Sequence, residues 1–435
     1  MKIYKGHFSG LIAVLFMVSC QGLRMPQSPL LVTFERKSGR IVYVGTDSNI
    51  YTMNQAGQDV FMITEQSGVG DDIADSVAYF YPAWAPDGRK LAFVGYQRGS
   101  GTPLEASLYT AKYDGTELAK VFSEPGKHPF YVYWLPSSKE ISFLSDTEGD
   151  NRFVMDIVSV DGEDSQEIGR GIPFYWAWSP DSNALISHRS KSTGADRGGD
   201  SLSLVRVGET VVDTSLNIRP SLFQSPVYSP DGKYFVAGIQ SRTGRGSLML
   251  ANETGDWQEV LAEFDGQAAF DWSPDGNRLA YITGKPTVYG MVGELILIEL
   301  SDIDNPVVSD TNAGGVIAFF WDHSGRKVAY FALGEADGSE GASQDFTLVL
   351  SVLDVESGES LVLTKMRPTD AFMTQVVPHF DQYQRSSTIW SPNNRYLVIN
   401  SITDDSRPGI FVIDATGNLE PRLANYGVMP FWSNK

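Results

Sequence analysis

The pattern that decides the fold is clearest in the stretch Trp272-Ser273-Pro274-Asp275-Gly276-Asn277-Arg278-Leu279-Ala280-Tyr281. An aromatic residue ends one apolar run, Ser-Pro-Asp-Gly makes a turn, and an alternating apolar run follows. Asp can hydrogen-bond to its own backbone in such a turn, and Gly tolerates a positive φ angle. The stretch therefore predicts a tight connection between two antiparallel strands.

The same pattern returns along almost the whole chain. Six further copies begin at Trp84, Trp134, Trp178, Tyr228, Trp321 and Trp390. Successive aromatic residues in the seven copies are 50, 44, 50, 44, 49 and 69 residues apart. A period of about 45 residues, with four short strands in each unit, is typical of a β-propeller blade. We therefore expect an all-β propeller in which these aromatic residues pack between neighbouring blades.

These repeats resemble the TolB-type β-propeller repeat, a WD40-like family that is also related to the propellers of prolyl oligopeptidase-like peptidases. The resemblance covers the predicted propeller domain, residues 37–435. It implies the fold with high specificity and the activity with little, because the repeat occurs in partner-binding periplasmic proteins, in accessory domains of enzymes and in some lyases. Fold by itself does not determine function.

The two ends of the repeat region are complementary. The N-terminal end supplies three strand-like segments without an inner strand, namely Arg40–Val44, Asn49–Met53 and Val60–Thr64. The C-terminal end begins an eighth motif at Trp432 and stops at Lys435. Pairing the last strand with the first three would close the ring and remove two exposed sheet edges. We therefore expect eight blades, with seven as the alternative if the unit that begins at Trp134 or Trp321 is incomplete.

The first nineteen residues are typical of a secretory signal. Lys2 and Lys5 precede the apolar run Leu11–Val18, which is too short to span a bilayer, and Ser19 provides the small residue that a signal peptidase needs. Cys20, the only cysteine of the chain, resembles the lipidated cysteine of a bacterial lipobox. We expect residues 20–36 to form a lipidated tether, with Cys20 as the lipidation site. The alternative is an ordinary cleaved signal followed by an incidental cysteine.

The acidic composition limits the classes of partner. The formal net charge is −19 at pH 7. This charge disfavours binding to nucleic acid and charge-driven docking on anionic lipid. We expect an exported monomer that contacts the membrane through its lipid anchor, on the periplasmic or extracellular side. In a Gram-negative host, Gln21 after the cysteine implies the outer membrane.

We expect a partner-binding site on the top face, the propeller face at which the inner strands begin. The opposite, bottom face carries the Ser-Pro-Asp-Gly turns. The top face gathers the candidate partner-binding residues Tyr81, His128, Tyr131, Tyr175, Trp176, Phe223, Phe320 and Tyr383. Clustered aromatic side chains favour recognition of an envelope protein, a peptide or a glycan. The alternative for each residue is packing between blades. The 69-residue interval also places an added stretch, Arg367–Ser387, on this face.

The sequence contains no local signature of a catalytic or metal site. The histidines after the signal are His128, His188, His323 and His379, and none has a neighbour at metal-binding spacing. There is no Gly-x-Ser-x-Gly motif. The loop Asp146–Asn151 offers oxygen ligands that could suit Ca²⁺, although it does not match an EF-hand and a solvated turn is the alternative. We therefore predict no cofactor and no catalytic residues.

These observations predict a non-catalytic exported lipoprotein whose propeller is a binding scaffold in the cell envelope. One alternative is a polysaccharide lyase or hydrolase that uses the top face. Convergence of His, Asp, Glu, Lys or Arg on the channel mouth would favour that enzyme, whereas the sequence indicates mainly aromatic residues there. A further alternative is an accessory or sensor subunit of an envelope protease or transport complex.

Overall fold

The computed structural model describes residues 24–25, 37–65, 76–98, 104–162, 164–190, 200–221, 224–241, 244–287, 290–334 and 346–435. Almost all regular structure in these ranges is β-strand. In the first half of the chain the strands are β1 Ile41–Val44, β2 Ile50–Met53, β3 Phe61–Met62, β4 Val77–Trp84, β5 Lys90–Arg98, β6 Leu104–Lys112, β7 Ala119–Phe122, β8 Lys127–Trp134, β9 Glu140–Thr147, β10 Asp150–Ser159, β11 Ser165–Gly171, β12 Phe174–Trp178, β13 Ala184–Ser190, β14 Asp200–Arg206 and β15 Val212–Ser215.

The second half of the chain continues the same architecture and adds one helical segment. Its strands are β16 Val227–Tyr228, β17 Tyr234–Gln240, β18 Gly246–Asn252, β19 Gln258–Phe264, β20 Gln267–Trp272, β21 Arg278–Gly284, β22 Pro286–Thr287, β23 Gly290–Met291, β24 Gly293–Glu299, β25 Val307–Trp321, β26 Lys327–Leu333, β27 Leu348–Asp354, β28 Ser360–Met366, β29 Tyr396–Ile402, β30 Pro408–Asp414, β31 Arg422–Tyr426 and β32 Val428–Trp432. The helical segment comprises a π-helix Phe372–Val376, a 3₁₀ turn Val377–His379 and the α-helix α1 Phe380–Ser386.

The strands form successive four-stranded antiparallel sheets arranged as in a propeller. Strands β4–β7, β8–β11, β12–β15 and β16–β19 each make one such sheet. A seven-stranded sheet, β20-β21-β24-β25-β26-β27-β28, contains two units, because the long strand β25 pairs with β24 along its first part and with β26 along its second. The propeller expected from the repeats is confirmed.

The number of blades stays a prediction. Strands β29–β31 form a three-stranded sheet, and only isolated bridges, Thr388 with Trp432 and Trp390 with Leu397, occupy the place of its inner strand in the described residues. The strand pairings group in the way that eight blades require, but the last unit is less regular than the others.

The C-terminal strand closes the ring as predicted. Strand β32 pairs antiparallel with β1, with Ile41 opposite Trp432 and Val42 opposite Phe431. The sheet order is β3-β2-β1-β32. Just beyond this ladder, the Ser433 backbone N–H donates to the Arg40 carbonyl at 2.8 Å. Residues from the two ends of the domain therefore share one sheet.

Side-chain hydrogen bonds hold neighbouring sheets together at regular positions. The indole Nε1–H of Trp134 donates to the Ala83 carbonyl at 3.2 Å, and that of Trp390 donates to the Phe320 carbonyl at 3.0 Å. In both cases the acceptor is the residue just before the repeat aromatic of the adjacent unit. Trp84 makes the equivalent bond across the closure, to the Phe431 carbonyl at 3.3 Å. All eight repeat aromatics are buried: Trp84, Trp134, Trp178, Tyr228, Trp272, Trp321, Trp390 and Trp432.

The repeated turn has the local chemistry expected from its sequence. The Ser273 hydroxyl donates to Asp275 Oδ1 at 2.6 Å and accepts the Arg278 backbone N–H at 2.9 Å. The Asn277 backbone N–H donates to Asp275 Oδ1 at 3.1 Å, and Gly276 has a φ angle of 76°. A side chain with a Cβ would be strained at that φ angle, which explains the glycine.

Candidate functional site

The helical segment packs against strands that line the central channel. Phe380, the first residue of α1, packs against Phe319 and Phe320 of β25, with ring centroids 5.0 and 6.2 Å apart. Phe372 packs against Phe331 of β26, with centroids 5.0 Å apart. The apolar side of the segment is therefore buried on the inner strands, and its polar side chains reach into the channel.

Arg385, in the last turn of α1, lies at the centre of a buried polar cluster. Its Nε lies 3.4 Å from Asp271 Oδ1 of β20. Its Nη1 donates to the Ser225 hydroxyl at 3.2 Å and to the Pro226 carbonyl at 2.8 Å. One guanidinium thus joins α1 to two different sheets, as its fork of donors allows.

Two more α1 side chains reach the same place. The Ser225 backbone N–H donates to Asp381 Oδ2 at 3.4 Å, and Gln382 Nε2 donates to the Ser225 hydroxyl at 3.0 Å. We call Asp271, Asp381 and Arg385, with Ser225 between them, the channel cluster. The sequence did not predict it, because its members are distant in the chain and follow no motif.

Burial dominates the electrostatics of the channel cluster. Burial raises the pKa of Asp271 to about 6, and the Arg385 guanidinium opposes this shift only in part. Burial also raises the pKa of Asp381. Burial raises the pKa of nearby Tyr133 to about 12 and lowers the pKa of His379. Desolvation favours the neutral form of each group, so ionised carboxylates are tolerated here because a cation lies among them.

The contacts of the channel cluster hold α1 in place, and they leave one donor group of Arg385 unused. Arg385 Nε and Nη1 are engaged, whereas Nη2 is buried without a hydrogen-bond partner in the part of the chain that the structure describes. Within the same described ranges, no group of three or more His, Cys, Asp or Glu side chains could hold a metal ion. The convergence of two carboxylates and a guanidinium on the channel corrects the expectation of mainly aromatic residues there.

Half of the sequence-predicted top-face residues with described side chains remain accessible. Tyr81 and Tyr175 are half-buried, and burial raises the pKa of both hydroxyls. His128 is also half-buried, with Nε2 3.0 Å from the Leu104 carbonyl oxygen. Tyr81 has a φ angle of 56° and lies where the register of β4 and β5 shifts, so a β-bulge sets its direction.

Three other predicted top-face residues are core residues. Trp176 is 1% exposed, and its Nε1–H donates to the Ser142 hydroxyl at 3.2 Å. Tyr131 is buried against Trp176, with ring centroids 5.6 Å apart. Phe320 is buried beneath Phe380. The correction has one cause, since these side chains fill the space between sheets and under α1. Phe223 and the side chain of Tyr383 lie outside the described residues.

Partly exposed aromatic residues gather on the top ends of two neighbouring sheets. Phe80 is 37% exposed and packs against Tyr96, with centroids 5.9 Å apart. The half-buried pair Phe130 and Phe153 lies in the next sheet, with centroids 5.0 Å apart. The Tyr96 hydroxyl joins the two sheets by donating to the Pro129 carbonyl at 2.8 Å. We call Phe80, Tyr81, Tyr96, Phe130 and Phe153 the top aromatic surface.

Sequence reasoning missed Tyr96 and Phe153 because they lie on second and third strands rather than on inner strands. Their signal was an aromatic residue near the top end of an otherwise alternating strand. Such a signal is visible only once the register of the sheet is known.

In the loop considered for Ca²⁺, one of the three acidic side chains, Asp150, is paired with arginine side chains. The Asp150 carboxylate contacts Arg152 at 3.0 Å and Arg170 at 3.2 Å. The hydrogen bond from Arg152 is the main cause that lowers the pKa of Asp150 to about 2. Two guanidinium groups at the Asp150 carboxylate disfavour its use as a ligand for a divalent cation. No helix in the described ranges is long and apolar enough to cross a membrane.

Comparison with known proteins supports the fold. No protein family model matches the chain. A Bacillus subtilis (strain 168) protein named as the uncharacterized peptidase YuxL is 25% identical over 218 residues, which is 48% of this chain and 30% of that protein. The chain therefore aligns with less than a third of this curated relative.

Solved structures show the same architecture at low identity. The dihydro-heme d1 dehydrogenase NirN matches with a TM-score of 0.54 and 14% identity, over 94% of this chain and 77% of that chain. TolB from Acinetobacter baumannii matches with a TM-score of 0.39 and 15% identity, over 78% of this chain and 82% of that chain. At these identities the likeness concerns the fold alone.

Proposed function

We propose that this protein is an exported, lipid-anchored binding module of the cell envelope, without catalytic activity of its own. The observation that carries the proposal is the top aromatic surface. It combines exposed Phe80 with half-buried Tyr81, Tyr96, Phe130 and Phe153 on one face of a rigid scaffold. Aromatic side chains that are held by packing and partly open to solvent are typical anchors of protein and peptide interfaces.

The paired state of the channel cluster supports a binding role over catalysis. Arg385 contacts Asp271 and the Ser225–Pro226 segment, so its charge and most of its donors serve to fasten α1. The signal-like N-terminus and Cys20 support export and lipidation. The partner class is an envelope protein or peptide, because the accessible side chains of the top aromatic surface are aromatic.

The proposal is tested by replacing Phe80 with Ala and measuring partner capture from detergent-solubilised envelope. The matched control is Trp257→Ala, since Trp257 is 38% exposed and lies just before β19 on the bottom face. We expect Phe80→Ala to reduce capture several-fold and Trp257→Ala to leave it unchanged, with equal melting temperatures. Equal capture by both variants and the wild type would remove the top aromatic surface as the binding site.

The anchor is tested separately. Changing Cys20 to Ala should abolish incorporation of a fatty-acid analogue during growth and should leave an unprocessed or mislocalised precursor. Equal labelling of the wild type and the variant would contradict lipidation at Cys20 without bearing on the top aromatic surface.

A second candidate is an enzyme that cleaves polysaccharide by lyase or hydrolase chemistry. The specific observation that favours it is a buried carboxyl group, Asp271, with a pKa of about 6 beside Tyr133 and Arg385. Shifted carboxyl groups near a channel are candidates for acid–base catalysis. The test is release of reducing or unsaturated ends from envelope and plant polysaccharides. If the wild type releases no more ends than the Arg385→Ala variant, this candidate is excluded.

A further inference from the structure

Two residues of the N-terminal tether are bound to the propeller. The Arg24 guanidinium donates to the carbonyl oxygens of Leu363 and Val362 in β28, the latter at 2.9 Å. The Met25 backbone N–H donates to the Asn418 carbonyl at 3.1 Å, and the Met25 carbonyl accepts the Glu420 N–H at 3.2 Å. The tether is thus clipped between β28 and the β30–β31 connection on the bottom face.

Exposed apolar side chains surround this clip. Met25 is 64% exposed, Val362 54% and Leu361 45%. Leu361 lies beside Gly417, where an added Cβ would stand 2.9 Å from Leu361 Cδ2, so the patch is continuous with the connection that receives Met25. The bonds of Arg24 and Met25 bring these three exposed side chains to one region of the bottom face, and an exposed apolar patch marks a site of contact with protein or membrane.

The position of Cys20 favours a membrane over a protein as the surface that contacts this patch. Arg24 lies four positions after Cys20, and a fully extended chain spans about 14 Å over four such steps. A lipid on Cys20 would therefore hold the clipped residues within about 14 Å of the anchored sulfur, close to the polar headgroup layer of a bilayer. A longer free tether would place no such limit.

We propose that Met25, Leu361 and Val362 rest on the membrane that carries the lipid anchor, with their side chains at the boundary of headgroups and acyl chains. This inference rests on the lipidation included in the proposed function. The covalent lipid supplies one membrane contact and the apolar patch a second, and two contacts together give stable attachment. The net charge of −19 adds no attraction to anionic lipid, so the contact is apolar and insensitive to salt.

The consequence is a fixed orientation. The clip holds the β28 edge and the bottom face toward the membrane. The top aromatic surface belongs to the β4–β7 and β8–β11 sheets, at the opposite ends of the strands, and it faces the aqueous compartment.

The test uses the full-length lipidated protein in phosphatidylcholine vesicles. Cys20 is the only native cysteine and is acylated under the proposal, so an introduced cysteine accepts a single environment-sensitive fluorophore. The probe position is Val362→Cys. The matched control is Ser406→Cys, an exposed position between β29 and β30 on the top face. We expect brominated lipid to quench the Val362→Cys probe several-fold more than the control probe, in low and in high salt alike.

Breaking the clip should abolish this difference. Arg24→Ala should reduce quenching of the Val362→Cys probe to the control value while the protein stays with the vesicles through its lipid. Arg89→Ala removes an exposed arginine of another bottom turn and should leave the quenching unchanged. Equal quenching at both probe positions, or no effect of Arg24→Ala, would overturn the inference.

The outcomes also separate this inference from the anchor itself. Protein that fails to float with vesicles and carries no acyl group contradicts lipidation, and the inference falls with it. Acylated protein that floats while the Val362→Cys probe stays unquenched contradicts the membrane contact alone. A probe that is shielded without lipid quenching, and that crosslinks to another chain, would assign the patch to a second copy or a protein partner and would likewise overturn the inference.

Discussion

The bottom turns and the central channel of this propeller are built by different kinds of interaction. In the bottom turns, Ser273 bonds to residues no more than five positions away. In the channel, Arg385 bonds to Asp271 across 114 positions and to Ser225 across 160. Local turn chemistry can be repeated from unit to unit, whereas the contacts of α1 exist once. The comparison teaches that repetition supplies the frame and that one long-range insertion makes the channel individual.

The repeats support the same conclusion. Ser179 with Asp181 and Ser229 with Asp231 reproduce the bonds of the Ser273 turn, with hydroxyl-to-carboxylate distances of 2.5 and 2.7 Å. Among the described residues near the channel, the contacts of Arg385 are not repeated from one unit to the next. Stability in the bottom turns should therefore be spread over many small and equal contributions, and in the channel it should be concentrated in a few.

The largest effect should follow from Arg385→Ala. The change leaves Asp271 and Asp381 buried without their cation, and breaking a buried ion pair in this way costs about 3–5 kcal/mol of unfolding free energy. The measurement is urea denaturation at neutral pH. Arg89→Ala, which removes an exposed ion pair with Asp87 on the bottom face, should cost less than about 1 kcal/mol. Similar losses of unfolding free energy for both variants would contradict the contrast between the channel and the bottom turns.

A pH-dependent effect of intermediate size should come from Asp271→Asn. The folded-state pKa of Asp271 is raised from 3.8 to about 6, so the folded protein binds this proton more tightly than the unfolded chain. The stability that protonation contributes is complete below pH 4 and is lost as the pH rises through 6, by about 3 kcal/mol. The difference in unfolding free energy between wild type and variant should change by that amount across this window. A difference in unfolding free energy that does not change with pH would show that Asp271 is solvated rather than buried.

The smallest effects should come from the bottom turns. Ser273→Ala removes a turn hydroxyl that makes short-range bonds, and we expect a loss of about 1 kcal/mol of unfolding free energy. Ser229→Ala and Ser179→Ala should give the same loss within error. Ser225→Ala, which removes a bonding partner of Arg385 and Gln382 in the channel, should cost more. Unequal losses among the three bottom serines would show that the turns are not equivalent.

The sequence predicted the features that depend on local chemistry. The Ser-Pro-Asp turns, the spacing of the repeat aromatics and the split motif at Trp432 were sufficient for the propeller and for its closure. The prediction that Trp176, Tyr131 and Phe320 belong to an exposed binding site was wrong. An inner strand has alternate residues buried on both sides, and the sequence alone does not show what covers them. The channel cluster was missed because Asp271, Asp381 and Arg385 meet only through the tertiary fold.

The closure sheet also sets the order in which the molecule can mature. Strands β1–β3 are synthesised first among the strands of the propeller, yet the strand that completes their sheet, β32, is synthesised after the others. Until then the inner edge of β1 lacks its partner, and an unpaired edge is a site of aberrant association. The first sheet of the propeller therefore stays incomplete until the last strand has been made. A chaperone that shields this edge would act on residues 41–44, and its task would end when β32 pairs with β1.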